Sequence, residues 1–222
     1  MKLYMHPMST TSRCVMLFLA ESGIKLDQQV VDLFSGEHHK EPFVAVNPNR
    51  MVPVLEDGDF RLTESSAILK YLADNANSPA YPKDLKKRAK VNEMMDWFNS
   101  NFYRDYGYGL IYPQVFPVHK RPDDKFQAAT LAWAKERAAG WLKTLDQMIG
   151  RKKFLTGDEV TIADYFGAEI LAVGDCIACD FSKTPNVARW LKTMKSLPGW
   201  SQVNGPFEGW GASMKDKQFE RV

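Results

Sequence analysis

The chain has 222 residues, 45% of them hydrophobic and 25% charged, with a net charge of +2. These values describe an ordinary globular protein with a sizeable core and lend no support to a nucleic-acid or membrane-surface binder. No apolar run reaches the roughly 20 residues of a membrane span, and the start MKLYMHPMST lacks the apolar core of a signal peptide. Three cysteines do not make a disulfide framework, so a reducing cytoplasm is the expected compartment.

Leu3 and Met5 alternate against Tyr4 in a short strand that His6-Pro7 ends. A loop follows, and Thr10, Thr11 or Ser12 is expected to cap a helix that runs to about Ser22 and stops at Gly23. A second strand is expected over Lys25–Leu33, then a polar loop over Phe34–Lys40 and a short helix over Glu41–Val46. Asp57-Gly58, between the apolar-bearing runs Val52–Leu55 and Phe60–Leu62, is a hairpin signal, because a tight turn needs residues that tolerate positive φ. After Thr63-Glu64-Ser65-Ser66, the residues Ala67, Ile68, Tyr71 and Leu72 share one helical face. The order βαβαββα over residues 1–75 is the layout of a thioredoxin-like α/β domain, with a right-handed parallel crossover and an antiparallel edge.

Residues 76–84 have two prolines and no periodicity, and read as a linker. Beyond it strand signals vanish, and residues 85–222 read as an all-helical domain. Its expected helices are Leu85–Leu110, kinked near Gly107 and Gly109 and broken by the prolines of Ile111–Pro122, and then Asp123–Ile149. Thr161 and Asp164 have capping-box spacing at the start of a helix reaching about Cys179. Pro185–Ser196 is another helix, stopped by Pro198-Gly199, and the tail from Trp200 reads as irregular, anchored by Phe207 and Trp210.

Several residue types carry chemistry. Ser9 stands just before the first helix, where a hydroxyl either caps the helix or donates to an anion held there. Glu64-Ser65 opens another helix, where a cap or a zwitterion site are both readings: the helix N-terminus takes a carboxylate and the Glu64 side chain an ammonium. Val52-Pro53 enters a strand; an ordinary trans proline is the bland reading. Cys14 lies within a helix and reads as core. Cys176 and Cys179 form C-x-x-C late in a helix, with no second pair to complete a zinc site, and read as structural; no metal site is expected. His38 and His39 sit in a polar loop and are expected to point different ways. No G-x-S-x-G surrounds a serine, which leaves a Ser-His-Asp triad weak. In the aromatic cluster of the helical half, Tyr106, Tyr112 and Phe116, with Trp210 from the tail, are candidates to line an apolar pocket.

Taken together, STTSR (9–13) after LYMHPM, GEHHKEPF (36–43), VNPNRMVPVLEDGDFRLTES (46–65) and FLTGDEVTIADY (154–165) resemble the cytosolic glutathione S-transferases of the serine-type theta and delta classes. The resemblance is strong over about residues 1–75 and 154–165 and diffuse elsewhere. It implies glutathione as co-substrate, no metal, a homodimer, and attack of a glutathione thiolate on an apolar electrophile. Glutathione-dependent dehalogenation, peroxide reduction, or a non-catalytic module on the same fold are the alternatives. It implies Ser9 at the glutathione sulfur, His38 near the glycyl carboxylate and Val52 before a cis Pro53 pairing with the cysteinyl unit. Glu64 and Ser65 would bind the γ-glutamyl ammonium and carboxylate, and Arg13 would act structurally or electrostatically. Two departures stand out. The family's serine is commonly followed by one residue and then Pro-Cys-Arg, whereas Thr10, Thr11, Ser12 and Arg13 follow here, which makes Thr10 and Ser12 rival hydroxyls. Met51 stands where theta-type proteins often carry lysine.

Overall fold

The computed structural model describes residues 1–214 and 216–222. Four strands, β1 (Lys2–Met5), β2 (Asp27–Val30), β3 (Val54–Asp57) and β4 (Phe60–Leu62), form one sheet in the order β2-β1-β3-β4. β1 runs parallel to β2 with Lys2 opposite Asp27, and antiparallel to β3 with Leu3 opposite Leu55. The period of two divides the side chains between two cores. Leu3, Met5 and Leu55 face α1 (Thr10–Ser22) and α3 (Ser65–Asn75), against Cys14, Phe18, Ile68 and Leu69. Tyr4 and Val54 face the other side, with Val31, Phe43 and Val52, under the short α2 (Phe43–Val46). The element order is βαβαββα.

Two local expectations shift. The second strand shrinks to Asp27–Val30, an edge strand whose four residues are all exposed and so lack a buried face to extend it. The hairpin loop is Gly58-Asp59, because Asp57 still pairs with Phe60; only Gly58 takes the left-handed φ, +63°.

The second half contains helices only, among the described residues. α4 (Leu85–Trp97) is capped by Asp84 and passes without a break into two π-helical stretches, Phe98–Phe102 and Arg104–Ile111, and then α5 (Tyr112–Val115). The expected kink is therefore replaced by a widened helix, while the expected break falls within Ile111–Pro122, where the helix ends at Val115. Gly107 and Gly109 serve close packing, since a Cβ at Gly107 would stand 2.5 Å from the Tyr103 ring and one at Gly109 would stand 3.0 Å from Ala134 Cβ. Pro113 lies where the π-helical stretch passes into α5 and is buried there.

α6 (Asp124–Ile149) crosses the glycine-bearing stretch. α7 (Ile162–Ala172) is buried along its whole length and packs on α1, joining the two halves. Its capping box forms as the spacing predicts: Asp164 accepts from the Thr161 N–H and hydroxyl at 2.8 Å each. The chain then tightens into a 3₁₀ turn over Val173–Ile177, and α8 spans Pro185–Lys195. The tail is not irregular: Trp200–Ala212 is a helix, α9, with Pro206 inside it. Trp200, Val203, Phe207 and Gly211 make a buried stripe at helical spacing, while Pro206 sits on the exposed side. No helix among the described residues is long and apolar enough to cross a membrane.

Candidate functional site

Three chain segments converge on one cleft of about 430 Å³. The first turn of α1 supplies Thr11, the loop before β3 supplies Asn47, Asn49, Met51, Val52 and Pro53, and the start of α3 supplies Thr63, Glu64 and Ser65. The opposite wall comes from the π-helical region of the second half: Asn99, Ser100, Tyr103 and Tyr108. The cleft thus lies between the two halves, with one peptide-like wall and one aromatic, hydroxyl-bearing wall.

Ser9, and none of the three expected residues after it, is the N-cap of α1. Its Oγ accepts from the Ser12 N–H at 3.2 Å and lies 3.2 Å from the Thr11 hydroxyl. The two rival hydroxyls turn inward. Ser12 is fully buried and accepts from the His6 N–H, and Thr10 is buried against the Tyr112 hydroxyl at 2.8 Å. Thr11, which sequence reasoning passed over, lines the cleft and donates to the Val52 carbonyl at 3.1 Å. A helical wheel would have separated it from Thr10 and Ser12, since consecutive residues sit about 100° apart (3.6 per turn).

The Val52-Pro53 bond is cis. Asn47 holds the loop before it, donating from Nδ2 to the Met51 carbonyl at 2.8 Å and accepting from the Asn49 N–H at 3.0 Å. Glu64 occupies the N-cap position of α3 with φ +65° and ψ 110°, a strained backbone for a residue with a Cβ. Its carboxylate makes no cap bond, so the first N–H groups of α3 stay open toward the cleft, with Ser65 buried beside them.

His38 lies outside this lining, on the turn Glu37–His39. It does not point away from His39; the ring centroids are 3.9 Å apart, with the planes tilted by 43°. Burial, then His39 and His6, push its pKa down, and its Nδ1 is buried without a hydrogen-bond partner.

The aromatic candidates divide. Tyr106 is fully buried and donates to the Leu171 carbonyl at 3.0 Å, so it is core and not pocket lining; Tyr103, three residues before it, and Tyr108, two residues after it, line the cleft in its place. Tyr112 lies beneath them, bonded to Tyr103 at 2.5 Å and to Thr10. Burial pushes the Tyr103 and Tyr112 hydroxyls up, which keeps both protonated as hydrogen-bonding groups. Phe116 and Trp210 stack on each other at 5.2 Å with planes 7° apart, outside the cleft. Cys14, Cys176 and Cys179 are free thiols, the first two buried.

This pairing of a βαβαββα half with an all-helical half agrees with the comparisons. Residues 1–74 match the family model of the glutathione S-transferase N-terminal domain, and residues 111–198 match that of the C-terminal domain. Human glutathione S-transferase theta-2 is 33% identical over 202 residues, spanning 90% of this chain and 82% of the relative. Human glutathione S-transferase theta-1 is 33% identical over 203 residues, spanning 90% and 84%. Among solved structures, a delta-class glutathione transferase of Nilaparvata lugens superposes with a TM-score of 0.80 at 32% identity, over 96% of this chain and 98% of that one. A glutathione S-transferase of Bombyx mori does so with 0.83 at 30% identity, over 98% of each. With both domain models matched and relatives of this similarity along nine-tenths of its length, the chain belongs to the glutathione S-transferase family.

Proposed function

We propose that this glutathione transferase joins the thiol of glutathione to an apolar electrophile, with Ser9 as the group that favours the thiolate. One observation carries the reading: the first turn of α1, the cis Val52-Pro53 bond and the open start of α3 face a single cleft. In it the Val52 backbone pairs with the cysteinyl unit beside Pro53, Ser65 and the free N–H groups of α3 take the γ-glutamyl carboxylate, and Glu64 takes the ammonium. Asn49 and Met51 line the cleft near the glycyl end, and His38 is the nitrogen donor assigned to that carboxylate. Tyr103 and Tyr108, with Asn99 and Ser100, form the wall assigned to the electrophile, while Phe116 and Trp210 extend the aromatic surface beyond it.

The energetics suit a single hydroxyl. Lowering a free thiol from about 8.5 to about 6.5 requires about 2.7 kcal/mol of preference for the thiolate. One hydrogen bond to a charged group supplies about 1.5–3 kcal/mol, and a helix N-terminus adds about 0.3–1 kcal/mol. As the N-cap of α1, beside Thr11 of the cleft wall, Ser9 would supply both, and no general base is required.

The Ser9→Ala variant tests this. It should still bind glutathione, while the bound thiolate's ultraviolet absorbance and the turnover fall more than tenfold; unchanged turnover would remove Ser9 from the role. Assays of conjugate formation, halide release and hydroperoxide reduction distinguish transfer from dehalogenation and peroxide reduction. We also place the protein as a homodimer in a reducing, cytoplasmic setting. The free thiols support the compartment, and light scattering at micromolar concentration tests the dimer.

A further inference from the structure

The hydrogen bonds around Thr11 have a direction. A threonine hydroxyl carries one proton, and that of Thr11 goes to the Val52 carbonyl at 3.1 Å. The 3.2 Å contact between Thr11 and Ser9 is then satisfied by the Ser9 proton. Ser9 in turn accepts from the Ser12 N–H. The bonds run one way, from the Ser12 N–H through Ser9 and Thr11 to the Val52 carbonyl. In this arrangement the Ser9 proton is aimed at Thr11, away from a sulfur. The neighbouring hydroxyls cannot substitute, since Thr10 is held by Tyr112 and Ser12 faces the His6 N–H.

We propose that Thr11 is a positioning residue that makes thiol activation depend on docking of the glutathione backbone. This rests on the roles given above to Ser9 and Val52. When a backbone N–H of the tripeptide donates to the Val52 carbonyl, it takes the place of the Thr11 hydroxyl. Thr11 then turns its proton onto Ser9 Oγ, and Ser9 turns its own onto the sulfur. Ser9 now accepts two hydrogen bonds, from Ser12 and Thr11, while donating one. Hydrogen bonds in series polarise one another, so Ser9 becomes the stronger donor to the thiolate. Both hydroxyls keep their protons throughout, and the thiol proton leaves to water.

The experiment is a pH titration of the thiolate absorbance of bound glutathione, with KM and kcat measured in parallel, for the native protein, Thr11→Val, Thr11→Ser and Ser9→Ala. Thr11→Val should lower the thiolate population at neutral pH by about three- to tenfold, the range that one hydrogen bond is worth. Its KM for glutathione should change less than about twofold, because the Val52 carbonyl stays available and a purely structural lesion would raise it. Thr11→Ser should titrate as the native protein does. If Thr11→Val does not fold, Thr11→Ala carries the same expectation. A native titration in Thr11→Val or Thr11→Ala, with Ser9→Ala still impaired, overturns the inference and leaves Ser9 in place; so does a Thr11→Ser variant that fails to restore it. An unchanged Ser9→Ala titration instead overturns the reading on which the inference rests.

Discussion

The Nε of Arg13 donates to Oε2 of Glu169 at 3.0 Å, and neither side chain is exposed to solvent. The same guanidinium donates to the Met8 carbonyl at 3.1 Å and lies 3.7 Å from the centre of the Phe207 ring. Glu169 is held from the other side by Asn204 at 2.8 Å. α1, α7, α9 and the loop leading to Ser9 thus meet on one buried ion pair. Removing one partner of such a pair leaves a buried charge without compensation, which costs about 3–5 kcal/mol. Glu169→Ala should lose stability of that order in urea unfolding. A loss below about 1 kcal/mol would mean that water reaches the guanidinium and the pair is not buried in solution.

The cap at Thr161 sets a second stability test. Asp164 accepts from the Leu155 N–H, from the Thr161 N–H and hydroxyl, and from Trp190 Nε1, at 2.8 to 3.0 Å. It therefore fixes the start of α7, the loop before it and α8 together. Asp164→Ala strips four donors of their acceptor inside the core. Losing a helix cap costs about 0.5–2 kcal/mol, and each stranded donor adds to it, so a loss of about 2–4 kcal/mol is expected in thermal or urea unfolding. Thr161→Ala, which keeps the carboxylate, should lose about 1 kcal/mol or less. Equal losses in the two variants would count against Asp164 as the hub.

The first half of the chain was legible because its signals are local. Gly23 ends α1, the Gly58 turn makes a hairpin, and alternation about Leu3 and Leu55 gives the sheet its two faces. Thr161 and Asp164 were legible for the same reason, since a cap is written in four consecutive residues. What the sequence hid depends on partners far along the chain. The π-helical stretches have no composition signal, and the close packing of Gly107 and Gly109 in the second of them against Tyr103 and Ala134 shows only in three dimensions. α9 was masked by Pro206, whose exposed position becomes evident only once Phe207 and Val203 are seen to face the core. In the site, the choice among Ser9, Thr10, Thr11 and Ser12 turns on Tyr112, 102 residues away from Thr10, and on Val52, 41 residues from Thr11.

Asp105 gives a pH dependence with a definite sign. Its carboxylate is fully buried, which by itself would raise its pKa. Hydrogen bonds from Arg104, Trp141 and Arg137 outweigh that and hold it at about 2. The unfolded chain titrates near 3.9. A folded pKa below the unfolded one contributes stability that is fully present above about pH 4 and is lost as the pH falls through about 2. The stability gap between the native protein and Asp105→Asn should therefore stay constant from about pH 5 to 7 and narrow below about pH 4. Urea midpoints across that range check it, and a gap that does not narrow in acid would show that the carboxylate is not held by these cations.

Gly107 separates two opposed effects on one residue. In an exposed helix, replacing glycine by alanine stabilises by about 0.8–1 kcal/mol through lost backbone freedom. Here the new Cβ would stand 2.5 Å from two carbons of the Tyr103 ring, a separation that real contacts do not tolerate. Tyr103 has little room to retreat, being buried, bonded to Tyr112 at 2.5 Å and packed against Tyr108 at a centroid distance of 5.0 Å. Overpacking of this kind costs about 1–3 kcal/mol, which exceeds the helix gain, so Gly107→Ala should destabilise by about 0.5–2 kcal/mol on balance. Because Tyr103 lines the cleft on the wall assigned to the electrophile, the shift should also raise KM for the electrophile while leaving KM for glutathione close to native. A variant more stable than the native protein, with both constants unchanged, would show that the ring yields freely and that the π-helical stretch does not shape the cleft.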